Sequence, residues 1–249
     1  MEILYFLVLF YTLETFIDKH ITKHVCEYYN INDNKRRPVK TVILKIFCFS
    51  MHVCIPFLID RGTTDIDRIY GFSKSTRVFG KFCIAYFIYD LKNVYSIENR
   101  SERLILFIHH VYGMVMIYYM IYEDCFTYYG LLYFGITEIS SIPLTYMKFY
   151  IKHDLKHLIS FQIIRLTFAI TFLIFRTCLF AYLMYFWFTD IYINYERISL
   201  KHIIIYMPGQ IFYPFIILLW TSKIIKKIYY ELTQMNSTTQ IHPEKKLNI

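Results

Sequence analysis

Long apolar runs, separated by short basic segments, repeat along almost the whole chain. A helix needs about 20 mostly apolar residues to cross the core of a bilayer. A run at residues 3–17 is short and contains Glu14, whereas six longer runs follow at 41–59, 78–96, 103–121, 126–147, 158–187 and 203–222. The pattern predicts an all-α fold, a polytopic transmembrane helical bundle with six firm spans and a marginal N-terminal one, seven in total.

The polar segments divide the chain into three parts. Residues 1–40 hold the marginal span and a basic loop, residues 41–230 hold the bundle, and residues 231–249 form a polar tail that is expected to be disordered. The first run has no basic segment before it and no small-residue cleavage site, so we do not expect a removed signal peptide.

The basic residues predict an orientation. Most lysines and arginines outside the runs fall in alternate segments, namely 18–40, 97–103, 148–157 and the tail, and few fall in the segments between them. Cytoplasmic loops of membrane proteins carry the excess of positive charge. The C-terminus and the 18–40 loop are therefore expected in the cytosol.

Composition supports a membrane protein and excludes several other classes. Hydrophobic residues make up 56% of the 249 residues, and the mean hydropathy is +0.36. Soluble domains of this length rarely have such values. The net charge is +8, but the basic residues lie beside apolar runs and do not form one basic face. Nucleic acid is therefore not an expected partner. The six cysteines lack zinc-site spacing and are expected to be reduced thiols.

Ionisable side chains inside the apolar runs are the candidate functional groups. Each costs roughly 2.5–3.5 kcal/mol on insertion scales, so each is expected to face the bundle interior and to have a partner. The candidates are Asp90, His109, His110, Glu138, Arg165 and Arg176. They are too many to be incidental.

Their depth predicts a common site. Counting at 1.5 Å per residue places Asp90, the histidine pair and Arg165 on the order of 10 Å from the cytosolic ends of their spans. Arg165 and Arg176 are eleven residues apart, close to three helical turns, and so are expected on one helix face. We expect one polar cavity that opens to the cytosol and runs inward to Glu138.

Structural and functional interpretations of these groups compete. Buried carboxylate–arginine pairs can simply fix the packing of helices, and this is an equal alternative for Glu138 and Arg176. The histidine pair is better explained by function, because histidine exchanges protons near neutral pH. Adjacent histidines lack the four-residue spacing of helical metal sites, so no metal is expected.

Four segments together resemble the TLC-domain (TRAM/LAG1/CLN8) family. They are Gly80–Leu91, which contains Tyr86-Phe87-Ile88-Tyr89-Asp90, then Phe107-Ile108-His109-His110, Thr137-Glu138-Ile139-Ser140-Ser141-Ile142-Pro143-Leu144, and Phe168–Arg176. The resemblance implies a helical bundle in the endoplasmic reticulum membrane, with a role in lipid synthesis, transport or sensing. Membrane lipids are the partners it implies.

The best-known enzymes of that family, the ceramide synthases, transfer an acyl group from acyl-CoA to a sphingoid-base amine, and their tandem histidines are essential. The resemblance implies that His109 and His110 are the matching positions. For an enzyme of this kind we expect His109 or His110 to be the general base or nucleophile, Asp90 to orient a ring, and Glu138, Arg165 and Arg176 to contact the substrate. No bound cofactor is expected, and acyl-CoA would be a co-substrate.

The chain departs from the ceramide synthases after the histidine pair. Their acidic His-Asp and Ser-Asp segment is replaced here by residues 135–141, which read Gly-Ile-Thr-Glu-Ile-Ser-Ser. The resemblance is therefore closer to the small TLC-domain-containing proteins. A non-catalytic lipid-binding protein that regulates membrane lipid composition is the alternative function. A receptor or transporter is a third class, although its sequence signatures and repeats are missing.

The orientation predicts that two potential N-glycosylation sites stay unmodified, because Asn99 and Asn236 would face the cytosol. We expect no shift in electrophoretic mobility when the protein from microsomes is treated with an endoglycosidase. A secreted glycoprotein in the same microsomes is the control. Glycosylation at either asparagine would contradict the topology.

Overall fold

The structure, a computed structural model, describes residues 1–31, 36–58, 67–71 and 74–240. Every regular element in these residues is helical, which confirms the predicted all-α class. The helices are α1 (Glu2–Ile17), α2 (Lys23–Tyr28), α3 (Arg36–Leu58), α4 (Lys74–Tyr95), α5 (Arg100–Tyr122), α6 (Thr127–Phe134), α7 (Ser141–Lys152), α8 (Ile159–Thr171), α9 (Leu179–Ile193) and α10 (Leu200–Gln240). A 3₁₀ turn (Ile136–Ser140) precedes α7, and π-helical segments join α1 to α2 (Asp18–Thr22) and α8 to α9 (Phe172–Cys178).

Three of the described helices are long and apolar enough to cross a membrane. They are Arg100–Tyr122, the continuous rod Ile159–Ile193 that α8 and α9 form together, and Leu200–Tyr230 of α10. Large apolar side chains on these helices face outward. Ile163 and Leu218, for example, are each 60% exposed. Such surface is unfavourable in water and favourable in hydrocarbon. These helices fit an integral membrane protein.

The predicted runs that begin at residues 3, 41 and 78 overlap α1, α3 and α4. Crossing of the membrane by these helices, and hence the count of seven spans, stays a prediction. The predicted disordered tail begins at residue 231, whereas α10 continues to Gln240. Residues 241–249 lie outside the described residues, so their disorder also stays a prediction.

The predicted run 126–147 is not one continuous helix. At Gly135 the backbone has φ −110° and ψ −84°, outside the α-helical region, and α6 ends there. The hydroxyl of Thr137 donates to the carbonyl of Tyr133 at 2.5 Å and so satisfies a group that the helix end leaves unpaired. The 3₁₀ turn that follows carries Glu138.

The marginal first run forms a helix that packs on α4. Phe10 is fully buried, and its ring lies 5.4 Å from that of Phe82 and 5.6 Å from that of Tyr89. Glu14, the residue that made this run marginal, accepts a hydrogen bond from the ammonium group of Lys92 on α4. The charge inside the run is thereby neutralised.

Three tyrosines join α5 to the antiparallel α10. The hydroxyl of Tyr206 donates to the carbonyl of Met116 at 3.0 Å, and at the other end the hydroxyl of Tyr213 lies 2.6 Å from Nδ1 of His109. Between them Tyr112 reaches from α5 into α10. These contacts fix the relative height of the two helices.

The hydroxyl of Tyr112 bridges two backbone groups of α10. It accepts from the N–H of Gly209 and donates to the carbonyl of Ile205, both at 2.8 Å. Those two backbone groups would bond directly to each other in a regular α-helix. A Cβ atom at position 209 would lie 2.9 Å from the hydroxyl, so any larger residue there would displace the ring of Tyr112. Pro208, next to it, supplies no N–H.

A cluster of ion pairs and hydrogen bonds joins residues 67–71 to α9 and to the turn after it. Both oxygens of Asp190 accept from the guanidinium of Arg68, at 2.7 and 2.5 Å, and the hydroxyl of Tyr129 also donates to this carboxylate. Arg197 donates to Asp67 at 2.5 Å. Burial would raise the pKa of Asp67, but the hydrogen bonds from Arg197 and the backbone outweigh it and hold that pKa below its ordinary value.

The closest approach of α4 and α5 yields a stability prediction. A Cβ atom at position 80 would lie 2.3 Å from Cγ2 of Ile121 and 3.2 Å from Cγ2 of Ile117, both fully buried. Gly80→Ala is therefore expected to lower the free energy of unfolding by about 1–3 kcal/mol. Thermal unfolding of the detergent-purified protein measures the change.

Ile121→Leu is the matched second variant, because leucine has no Cγ2 branch at Cβ. We expect the free energy of unfolding to fall less in the double variant Gly80→Ala/Ile121→Leu than the sum of its decreases in the two single variants. Additive losses would show that the contact does not set the helix spacing.

Candidate functional site

Helices α3, α4 and α5 bring together the ionisable side chains of Lys45, Asp90 and His110. Asp90 and His110 are among the predicted site residues. Nε2 of His110 lies 3.2 Å from Oδ2 of Asp90, and Lys45 of α3 donates to the same oxygen at 2.9 Å. Oδ1 of Asp90 accepts from the amide of Asn93 at 2.8 Å. Asp90 and His110 are 3% and 6% exposed. The carboxylate is thus buried with a compensating cation and a full set of donors.

Both ring nitrogens of His110 are occupied. Nδ1 lies 2.8 Å from the carbonyl of Leu106, which can only accept, so this nitrogen carries a hydrogen. Nε2 faces the carboxylate of Asp90. His110 therefore has no nitrogen left for a substrate, and the two bonds fix the orientation of its ring.

His109 has a different environment. Its Nδ1 pairs with the hydroxyl of Tyr213 at 2.6 Å, and its Nε2 has no hydrogen-bond partner among the described residues. The ring of Phe87 on α4 lies against both histidines, with centroids 6.1 Å from His109 and 5.0 Å from His110. His109 is thus a half-buried imidazole with one nitrogen available.

Glu138 and Arg176 form a second ionic cluster. Nη2 of Arg176 donates to Oε1 of Glu138 at 3.0 Å and to the hydroxyl of Ser141 at 2.7 Å, while its Nε donates to the hydroxyl of Ser140 at 2.8 Å. Ser141 donates in turn to Oε2 of Glu138 at 2.5 Å. The break before the 3₁₀ turn gives these three neighbours the orientation needed to surround one guanidinium group.

The ring of Phe87 lies between the two clusters. It contacts both histidines, and its centroid is 6.4 Å from that of Phe134, the last residue of α6 before the 3₁₀ turn that carries Glu138. The structure thus pairs Asp90 with His110 and Glu138 with Arg176, while one polar cavity that contains all of them stays a prediction.

Arg165 is half-buried on α8, and its predicted contact with the substrate stays a prediction. Its expected common face with Arg176 assumed an unbroken α-helix, and this assumption is wrong. Residues Phe172–Cys178 are π-helical, with a wider turn, so eleven residues no longer correspond to three turns. The cation beside Asp90 is Lys45, and the one beside Glu138 is Arg176.

Sequence reasoning missed three residues of the site: Lys45, His52 and Tyr213. A signal existed for the first two, because they are seven residues apart in an apolar run and so share a face of α3. His52 is 3% exposed, and its Nδ1 lies 2.7 Å from the carbonyl of Cys48. Tyr213 is one of 25 tyrosines, and nothing in the sequence distinguishes it.

The part of the chain that the structure describes contains no group of three histidine, cysteine, aspartate or glutamate side chains that could hold a metal ion. The side chains of the site supply imidazole, carboxylate, hydroxyl, ammonium and guanidinium groups. Together they can bind a polar group, orient it and exchange a proton with it.

Comparison with known proteins gives the family. No curated protein matches the chain significantly. The profile of the TLC domain matches residues 36–226, which include all four segments on which the resemblance rests and every residue of the site. This match covers far more than half of the sequence. The chain belongs to the TLC-domain family.

Proposed function

We propose that this protein acts in membrane lipid metabolism by transferring an acyl group from acyl-CoA to a lipid amine, with His109 as the reacting residue. The proposal is carried by the unequal environments of the two adjacent histidines. His110 uses both ring nitrogens in internal hydrogen bonds, whereas Nε2 of His109 has no partner among the described residues. One imidazole is fixed and its neighbour is available.

His109 would serve as the general base. When its Nδ1–H donates to the oxygen of Tyr213, Nε2 carries a lone pair that can take a proton from an attacking amine. The amine nitrogen then bonds to the thioester carbonyl carbon, the carbon–sulfur bond breaks, and the CoA thiolate leaves and takes up a proton. The product is an amide.

His110, Asp90 and Lys45 would hold this base in position. Because the histidines are neighbours on α5, fixing the ring of His110 restricts the backbone and side chain beside it. The carboxylate of Asp90 supports His110, and Lys45 balances the charge of the carboxylate. A fixed network of this kind reduces the reorganisation that accompanies reaction in a water-poor site.

Substrate contacts would come from the cations and carboxylate of the neighbouring helices. Arg165 on α8 is suited to anionic groups of acyl-CoA, and the Glu138–Arg176 cluster would contact the lipid head group. We place the protein in the endoplasmic reticulum with its C-terminus in the cytosol, where acyl-CoA is available.

A non-catalytic lipid-binding protein, similar to the small TLC-domain proteins, is the second candidate. One observation favours it: Nε and Nη2 of Arg176 are already used by Glu138, Ser140 and Ser141. A cluster satisfied from within the protein can close a lipid site without contributing to turnover. This protein would change the lipid composition of the membrane by holding a lipid.

The proposal predicts that membranes from cells expressing the protein form an N-acylated lipid from acyl-CoA and a sphingoid base. His109→Ala is expected to lower the rate by about 100-fold or more, the range of general base catalysis. His110→Ala is also expected to lower it, because the support of the base is lost. The matched control is His24→Ala, since the side chain of His24 is 79% exposed on α2.

Mass spectrometry of the acylated product gives the rate, and size-exclusion chromatography checks that each variant is folded. Full product formation by the double variant His109→Ala/His110→Ala would exclude catalysis by this pair. Lipid that copurifies with the wild type while no product forms would favour the binding protein.

A second prediction separates packing from substrate contact at Glu138 and Arg176. Glu138 and Arg176 form a half-buried ion pair, and removal of either partner leaves an uncompensated charge, so Glu138→Gln and Arg176→Gln are each expected to unfold at lower temperature. The double variant Glu138→Gln/Arg176→Gln leaves no unpaired charge and is expected to regain much of that stability. Thermal unfolding measures all three variants.

Product formation by the stable double variant then identifies the role of the pair. A substrate contact predicts that activity stays low although stability returns. Wild-type activity in the double variant would show that the pair serves packing alone.

A further inference from the structure

An apolar groove of about 600 Å³ lies between α9 and α10. Phe180, Met184, Phe188 and Tyr192 line it from α9, and Pro214 and Ile217 line it from α10. Both helices belong to segments long and apolar enough to cross a membrane. The groove thus lies on a surface that fits the hydrocarbon of a bilayer.

We propose that this groove holds one acyl chain of a membrane lipid, with the polar end of the lipid directed towards His109. The proposal rests on the proposed function, and it names where the lipid substrate lies. Four features of the groove support it: its length, the saturation of its threonine hydroxyls, the size of its side chains and its position beside the site.

The groove is long and narrow. Its lining follows one face of the helix from Thr177 to Tyr192, which corresponds to about 22 Å at 1.5 Å per residue. Half of a bilayer core, the depth that one lipid chain covers, is about 15 Å thick, so the groove is long enough for a whole chain whose polar end lies at Phe180.

The threonine hydroxyls of the lining are already satisfied. The hydroxyl of Thr189 donates to the carbonyl of Tyr185 at 2.8 Å, and the hydroxyls of Thr177 and Thr221 pair with each other at 2.9 Å. The lining thus offers few donors to a polar guest. A hydrocarbon chain requires none.

The large side chains favour a lipid over a transmembrane helix of a partner protein. Helices approach each other in membranes through small residues such as glycine, alanine and serine. Ala181 is small, but Phe180, Met184, Phe188 and Tyr192 present long or aromatic side chains with gaps between them. A thin, flexible chain fits such a surface better than a helix does.

The groove adjoins the histidine site through one aromatic ring. Phe180 lines the groove, and its ring centroid lies 6.4 Å from that of Tyr213 and 5.1 Å from that of Tyr133. Tyr213 in turn pairs with His109. A lipid whose chain lies in the groove can therefore bring its polar end to His109 by passing a single side chain.

Photo-crosslinking tests the proposal on the full chain in cell membranes. Cells are fed a fatty acid that carries a diazirine in mid-chain and a terminal alkyne, and after irradiation the labelled peptides are mapped. We expect the label on residues 177–192 and 214–218 to exceed that on other outward residues, such as Ile163 and Leu166 of α8.

Ala181→Trp fills the groove and is expected to lower the label there by about tenfold, equivalent to roughly 1.4 kcal/mol. Tyr182→Trp is the matched control, because Tyr182 is 59% exposed on the same helix and does not line the groove. Phe180→Ala is expected to extend the label to Tyr213 and Tyr133. Misfolding could lower the label in Ala181→Trp, but it would not add label at these two tyrosines in Phe180→Ala.

Three results would overturn the proposal. They are uniform label on all outward residues, a groove label that Ala181→Trp leaves unchanged, and selective labelling of the groove by a photoactivatable sterol with none by the fatty acid. The same mapping in His109→Ala/His110→Ala is expected to retain the groove label. Loss of product with a retained label would thus separate failure of the acyl-transfer proposal from failure of the groove.

Discussion

Charged groups within an apolar bundle must find their partners inside the protein, and the rest of this structure depends on that constraint. Asp90 meets Lys45, Glu138 meets Arg176, and Glu14 meets Lys92. In each pair the partners come from different elements, so each pair also fixes how those elements pack. A bundle that left one of these charges unpaired would lose several kcal/mol, of order 3–5 for a buried pair.

The same constraint makes the two neighbouring histidines unequal. Helix geometry turns adjacent residues about 100° apart, so His110 points to the carboxylate on α4 while His109 points to Tyr213 on α10. One ring becomes part of the internal hydrogen bonding, and the other keeps a free nitrogen. This asymmetry is what turns a polar cluster into a candidate reaction centre.

The groove between α9 and α10 places hydrocarbon close to this centre. Phe180 separates the two environments, with the apolar groove on one side and the Tyr213–His109 pair on the other. In an amphiphile, too, an apolar chain and a polar group lie within a few ångströms of each other. A site of this construction suits a lipid better than a water-soluble ligand.

The helical class, the membrane character and the identity of the polar groups follow from the order of the residues alone. Apolar runs have one stable conformation in a bilayer, and buried charges are too costly to be incidental. The sequence also identified His109, His110, Asp90, Glu138 and Arg176, which the structure gathers into two clusters. Tertiary structure decided the partners. Lys45 and Tyr213 reach the site from α3 and α10, and Gly135 and the π-helical segment Phe172–Cys178 set the directions of Glu138 and Arg176. Periodicity assumes a regular helix and sees only one helix at a time, so irregular turns and contacts between helices lay beyond it.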